Sequence, residues 1–164
     1  MTNGGIQEMV DREKEISLLR EANEKYREYY DKYKGIITEL MEYLASKHLQ
    51  IIVWGAGLKG KAFLDYYDHH NRIVDYVIDM DMEKQGKALL TGHKIVGVNY
   101  IKHEDAVILV VNENYYPSIC FSLINKGFDI KELKIICIDH YVNGKYNIQD
   151  IKNNTIWERK RYYD

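Results

Sequence analysis

The chain has a single proline, Pro117, two cysteines and three phenylalanines in 164 residues. So little proline excludes a stiff, extended linker between separate domains. Cys120 and Cys137 both lie inside apolar runs, Ile119-Cys120-Phe121 and Ile136-Cys137-Ile138. They read as small core residues of a reducing compartment, and not as a disulfide or a zinc pair. The apolar runs are strand-sized, which predicts no membrane-spanning helix. The polar, charged start does not resemble a secretory signal. A net charge of −2 provides no broad basic face for nucleic acid. A cytoplasmic protein that neither spans a membrane nor binds nucleic acid is the expectation.

What is present is ordinary for a globular chain, with 46% apolar and 29% charged residues. The length suits one domain with a real core plus an accessory element. Fifteen tyrosines against three phenylalanines is unusual, and rings with a polar tip suit half-buried surfaces and interfaces. From residue 6 to about 50 the sequence is charged, free of proline and helix-favouring. One seam of heptad spacing holds Met9, Ile16, Asn23, Tyr30, Ile37 and Leu44, and the alternating seam holds Arg12, Leu19, Tyr26, Tyr33 and Leu40. The repeat predicts a coiled coil that makes a homodimer, with Asn23 fixing its register. The alternative is one amphipathic helix packed along its own domain and broken at Gly35.

Strands and helices alternate in the remainder. Residues 51–54, 74–79, 106–111 and 133–139 read as strands, and residues 93–98 as extended. Residues 58–69 and 116–125 read as helices, the second ending at Gly127. This order predicts an α/β fold, a Rossmann-like parallel sheet with helices on both faces, preceded by the long N-terminal helix. The chain divides on this reading into a helical segment 1–49, a nucleotide-binding domain 50–140 and a polar tail 141–164. The tail carries a weakly specified helix over residues 148–157.

The stretch Ile51-Ile52-Val53-Trp54-Gly55-Ala56-Gly57-Leu58-Lys59-Gly60-Lys61 carries the strongest functional signal. A strand runs into a Gly-x-Gly-x-x-Gly turn that opens a helix, which gathers backbone N–H groups and a helix dipole where a phosphate can sit. Gly55, Gly57 and Gly60 would form that cradle, Lys59 and Lys61 would add charge, and Asp79 would grip a ribose hydroxyl. The same glycines also serve a tight turn and close packing with no ligand at all. Asn112, Glu113, Asn114, Asp139 and His140 fall beyond other strand ends, where ligands bind in open α/β sheets. The histidines lack metal-ligand spacing, and His69-His70 reads as a helix C-terminal cap. No nucleophile elbow or Walker loop appears. His140 and Tyr115 are the candidates for acid–base chemistry.

The residues from Val53 to about His140 resemble the C-terminal Rossmann-like domain of SAM-dependent sugar C-methyltransferases. The likeness is carried by the glycine loop, Val77-Ile78-Asp79, Lys84-Gln85-Gly86-Lys87, Thr91-Gly92-His93-Lys94-Ile95 and Val107-Ile108-Leu109-Val110-Val111-Asn112. It implies a binding fold in which Gly55, Gly57, Gly60, Asp79, Lys84, Gly86, Gly92, His93 and Asn112 hold a nucleotide-linked sugar. That family's methyltransferase domain, with its zinc-binding cysteines, has no counterpart within these residues, so methyl transfer itself is not implied. The function expected is a nucleotide- or nucleotide-sugar-binding accessory module beside a partner enzyme of surface-glycan or sugar modification. The alternatives are an NAD(P)-dependent oxidoreductase or small sugar-modifying transferase, and a dimeric coiled-coil interaction protein without a ligand.

Overall fold

A computed structural model describes residues 3–69, 73–101, 106–130 and 132–153. Two helices, α1 (Asn3–Lys32) and α2 (Lys34–Ala45), precede β1 (Gln50–Trp54) and α3 (Leu58–Tyr67). Then come β2 (Tyr76–Ile78), β3 (Ile95–Val96), β4 (Ala106–Val110), α4 (Tyr116–Asn125) and β5 (Lys134–Cys137). Two short helices, α5 (Ile138–Val142) and α6 (Ile148–Lys152), follow. No helix among the described residues is long and apolar enough to cross a membrane.

The five strands are all parallel, in the order β3-β2-β1-β4-β5. This is the Rossmann-like arrangement expected, with the chain reversing its direction of travel between β1 and β4. Trp54 pairs in register with both Ile78 and Val110, so three strands end at one level and their following loops share a lip. A strand's side chains alternate between faces, and the core divides accordingly. Ile51, Val53, Val77, Val107, Leu109 and Ile136 pack beneath α1, α2 and α3. Ile52, Ile78, Ile108, Val110 and Ile135 pack beneath Ile119 and Leu123 of α4. Burial of all five residues of β4 accounts for its unbroken apolar sequence, because neither face meets water.

The N-terminal helix packs on its own domain. Ala22 and Tyr30 are buried with Phe63 and Leu64 of α3, and Ile37, Leu40 and Leu44 of α2 join the same cluster. The Tyr30 hydroxyl donates to the Lys59 carbonyl at 3.0 Å, and the Tyr67 hydroxyl donates to the Tyr30 carbonyl at 2.6 Å. Tyr30 also meets Phe63 and Tyr67 edge to face at 5.9 and 5.5 Å. A tyrosine-rich seam suits this interface, since the Tyr30 and Tyr67 rings fill apolar space while their tips satisfy backbone carbonyls. Asn23, expected as a coiled-coil register device, donates instead to Asp65 of α3 at 2.9 Å. The helix breaks at Tyr33 (φ −103°, ψ 15°), two residues before Gly35, which lies inside α2. The C-terminal half of the heptad seam is thus used within the chain, while Ile6, Met9, Val10 and Ile16 stay 40–52% exposed.

The tail helix covers Ile148–Lys152 with Asn153 as its C-cap, and residues 154–157 of its expected span lie outside the described residues. Asp139 and His140, expected at the end of a strand, fall in α5, because the strand stops at Cys137. The Tyr146 hydroxyl accepts from the Cys137 N–H and donates to the Cys137 carbonyl, at 2.8 and 3.0 Å, which satisfies both backbone groups at the end of this edge strand.

Gly60 gives the clearest packing test. A Cβ there would lie 2.2 Å from the Gly55 carbonyl oxygen, whereas one on Gly57 would meet nothing within 4 Å. Gly60→Ala is expected to cost about 1–3 kcal/mol by overpacking, and Gly57→Ala to be nearly neutral. Urea denaturation of the two variants checks this, and equal midpoints would contradict the stated contact.

Candidate functional site

The glycine loop leaves β1 at Gly55, whose φ of +117° is a left-handed value that side chains rarely adopt. Its N–H donates to the Ile78 carbonyl at 2.8 Å, tying the loop to β2. Gly57 is the N-cap of α3 in ordinary extended geometry (φ −80°, ψ −171°). The first N–H groups of a helix have no intrahelical partner, and here they open onto a cleft of about 540 Å³. The cleft lies where open α/β sheets bind ligands, at the switch between β1 and β4. Trp54, Asn112, Tyr115, Ser118 and Ser122 border it on the β4 side.

Asp79 stands at the end of β2, as expected, but its carboxylate serves the protein backbone. One oxygen accepts from the Ala56 N–H at 3.2 Å and the other from the Asp81 N–H at 2.9 Å. Lys84 lies 3.6 Å from the first of these oxygens, with its side chain 45% exposed. The Gln85 amide donates to the Asp79 carbonyl at 2.9 Å. The Lys84-Gln85-Gly86-Lys87 turn thereby buttresses the glycine loop through Asp79. Gly86 takes a φ of +87° and donates its N–H to Ile95, so its place is in the turn beside β3.

Lys59 does not reach freely into the cleft. Its ammonium sits 2.7 Å from Asp139 and 4.7 Å above the Tyr29 ring. The Tyr29 hydroxyl donates to the same Asp139 oxygen, and the other oxygen accepts from the Glu113 N–H at 2.8 Å. Burial opposes ionisation of Asp139, but the Lys59, Tyr29 and Glu113 hydrogen bonds outweigh it and hold the carboxyl below its ordinary range. Burial, reinforced by the hydrogen bond to Asp139, holds the Tyr29 phenol protonated well above its ordinary range. Lys61 is likewise committed, donating to the Ala56 carbonyl at 3.0 Å and lying 3.3 Å from Glu15 of α1.

Four of the expected residues sit apart from or at the edge of this constellation. His93 is wholly buried, with Nε2 2.7 Å from Asp68 and Nδ1 2.7 Å from the Thr91 hydroxyl. Asp68 also accepts from the Ile73 and Val74 N–H groups. Burial raises the Asp68 pKa, yet these bonds bring it below its usual value. The Thr91–His93–Asp68 chain thus fastens the turn before β3 to the end of α3, and the structure gives His93 this bracing position. His140 lies in α5, 3.6 Å from Glu113 and against the Tyr116 ring. Burial, with Lys145 nearby, shifts His140 towards its neutral form. Asn112 borders the cleft while its side-chain oxygen accepts from the Asn114 N–H at 3.0 Å. Tyr115, 61% exposed, lines the same wall.

A family model described as the C-methyltransferase C-terminal domain matches residues 2–120. The chain belongs to that family. No curated protein and no solved structure matches it. The match takes in α1 and α2 as well as the glycine loop, in keeping with the shared core. It stops within α4, so Asp139 and His140 of this C-methyltransferase C-terminal domain lie outside the matched residues.

Tyr26 and Tyr29 are the site residues that sequence reasoning missed. Tyr26 borders the cleft and Tyr29 braces Asp139. Reading α1 as a separate coiled coil removed both from consideration. The signal was the run of tyrosines at positions 26, 29, 30 and 33, too polar at its tips for a dry helix seam.

The two depressed carboxyls set an acid limit. Their stabilising effect is fully present above the unfolded-chain value of 3.8 and is lost as pH falls through the lower folded values. Denaturation midpoints are expected to hold steady from pH 7 to about 5 and to fall below about 4. Asp68→Asn and Asp139→Asn should each flatten that acid fall. An unchanged slope in both variants would show that other groups set it.

Proposed function

We propose that the cleft holds a nucleotide or nucleotide-linked sugar, and that the domain is a substrate-holding module for a C-methyltransferase acting on that sugar in surface-glycan or sugar modification. The observation that carries this reading is the first turn of α3. Its N–H groups open onto a cleft of about 540 Å³, and the space over Gly57 is empty to 4 Å. An anion bound there would gain from the helix dipole and from several backbone donors at once. Lys84 is the cation best able to follow, because its side chain is nearly half exposed and its charged partner, Asp79, is 3.6 Å away.

Family membership supports a role beside methyl transfer, and the cleft residues support binding more than chemistry. Of the two acid–base candidates, Tyr115 borders the cleft, and His140 is not among its bordering residues. The NAD(P) alternative draws less support because the family model that matches is a C-methyltransferase C-terminal domain and not a hydride-transfer domain. A cytoplasmic setting, beside a partner enzyme, completes this reading. The outward face of α1, with Ile6 and Val10 about half exposed, would serve homodimerisation.

Calorimetry against nucleotides, nucleotide-sugars, NAD(H) and SAM tests the binding claim. A nucleotide or nucleotide-sugar is expected to bind, to weaken about tenfold with Lys84→Ala, and to be lost with Gly57→Val at unchanged thermal stability. No binding by the unaltered chain, or equal binding by Gly57→Val, would refute it. Dimerisation is checked separately by sedimentation, in which Ile6→Lys with Val10→Lys is expected to halve the mass. A monomeric unaltered chain would remove that part of the reading.

A further inference from the structure

Lys59 is the second residue of α3 and borders the cleft, yet its charge is turned towards the protein. The positive end of a helix dipole favours carboxylates and opposes cations. The first turn of α3 reverses that pattern, with Lys59 and Lys61 and no acidic residue. Each lysine is offset from elsewhere in the chain, Lys61 by Glu15 of α1 and Lys59 by Asp139 of α5.

The two pairs differ in kind. Lys61 also donates to the Ala56 carbonyl at 3.0 Å, so the loop backbone holds it as well as Glu15. The Lys59 ammonium is held at 2.7 Å by Asp139 and lies above the rings of Tyr29 and Tyr26, 4.7 and 5.9 Å from their centres. Tyr26 itself borders the cleft. Asp139 is fixed in turn, because the Tyr29 hydroxyl donates to the oxygen that meets Lys59, and the Glu113 N–H donates to the other at 2.8 Å. An ionised carboxylate can accept from all three donors at once. An asparagine cannot: with its one oxygen towards Glu113 it would present an amide to Tyr29 and Lys59.

We propose that Asp139 sets the anion affinity of the cleft by withholding Lys59 from it. This rests on the binding reading above and adds the residue that regulates it. While Asp139 holds the ammonium, an anion over the first turn of α3 meets N–H groups and Lys84. Once released, Lys59 can swing on its flexible four-carbon stem into the space that its helix turn borders. The carboxylate therefore keeps the cleft's grip loose enough for a ligand to be exchanged. It does so from α5, beyond the residues that the family model matches.

Inorganic pyrophosphate is the probe, since it carries the charge of a diphosphate with neither base nor sugar. Its affinity is measured by calorimetry on the full chain, and backbone amide shifts in the first turn of α3 locate it. Asp139→Asn is expected to tighten pyrophosphate about tenfold, the effect of one added charged contact. Asp139→Asn combined with Lys59→Met removes both charges and is expected to restore the affinity of the unaltered chain. Equal tightening in the two variants, or none in Asp139→Asn, would overturn the proposal. If Asp139→Asn fails to fold by circular dichroism, the unaltered chain decides. Its Lys59 ammonium resonance is expected to keep its position as pyrophosphate shifts the α3 amides, and movement of that resonance would overturn the proposal. An absence of amide shifts in every folded form would do the same. Nucleotide binding in the calorimetric panel above, without tightening in Asp139→Asn, would remove this proposal and leave the binding reading standing.

Discussion

The close approach of Gly60 to the Gly55 carbonyl governs the geometry of this domain. Only a residue without a side chain lets α3 begin directly after β1, at a point where a Cβ would sit 2.2 Å from that oxygen. The approach brings the first turn of α3 against the lip of the sheet. It also sets the Lys59 carbonyl where Tyr30 of α1 can donate to it. The long helix, the cleft and the first N–H groups of α3 all border this contact.

Charge in the site is arranged around the same loop, and most of it is already satisfied. Asp79 braces the loop's backbone, Asp139 holds Lys59 and Tyr29, and Glu15 lies beside Lys61. A buried ion left without a partner is costly, so these pairs keep the loop rigid with no ligand present. What remains for a ligand is a set of neutral donors, the N–H groups, and one half-exposed cation, Lys84. Under the binding role proposed above, an anion would be held by preorganised dipoles, with no rearrangement of these salt bridges.

Much of the sheet was legible in the sequence. The apolar run of residues 106–110 is buried on both faces, and a parallel strand has no other place for such a run. The helix Tyr116–Asn125 and its glycine stop at Gly127, with φ +89°, were equally readable, because local backbone chemistry sets both. The role of His93 was not readable. Its partners, Asp68 and Thr91, are 25 and 2 residues away, and nothing in local spacing separates a buried brace from a ligand-binding histidine. Lys59 shows the same limit, since its anionic partner lies 80 residues along the chain.

The long N-terminal helix divides the two kinds of information most sharply. Heptad spacing from Met9 to Leu44 determined that a helix with an apolar seam forms, because side chains three and four residues apart share a face. It did not determine what covers that seam. A second chain and the chain's own α3 present the same requirement to an amphipathic helix, and the choice rests on long-range contacts. Tyr30 against Phe63 and Tyr67, and Asn23 against Asp65, decide it for the inner half of the seam. The sequence alone established a strand, a glycine turn and a helix in that order. Only the tertiary structure decided which charges beside that turn were already paired, because pairing depends on atoms brought together from α1, β2 and α5.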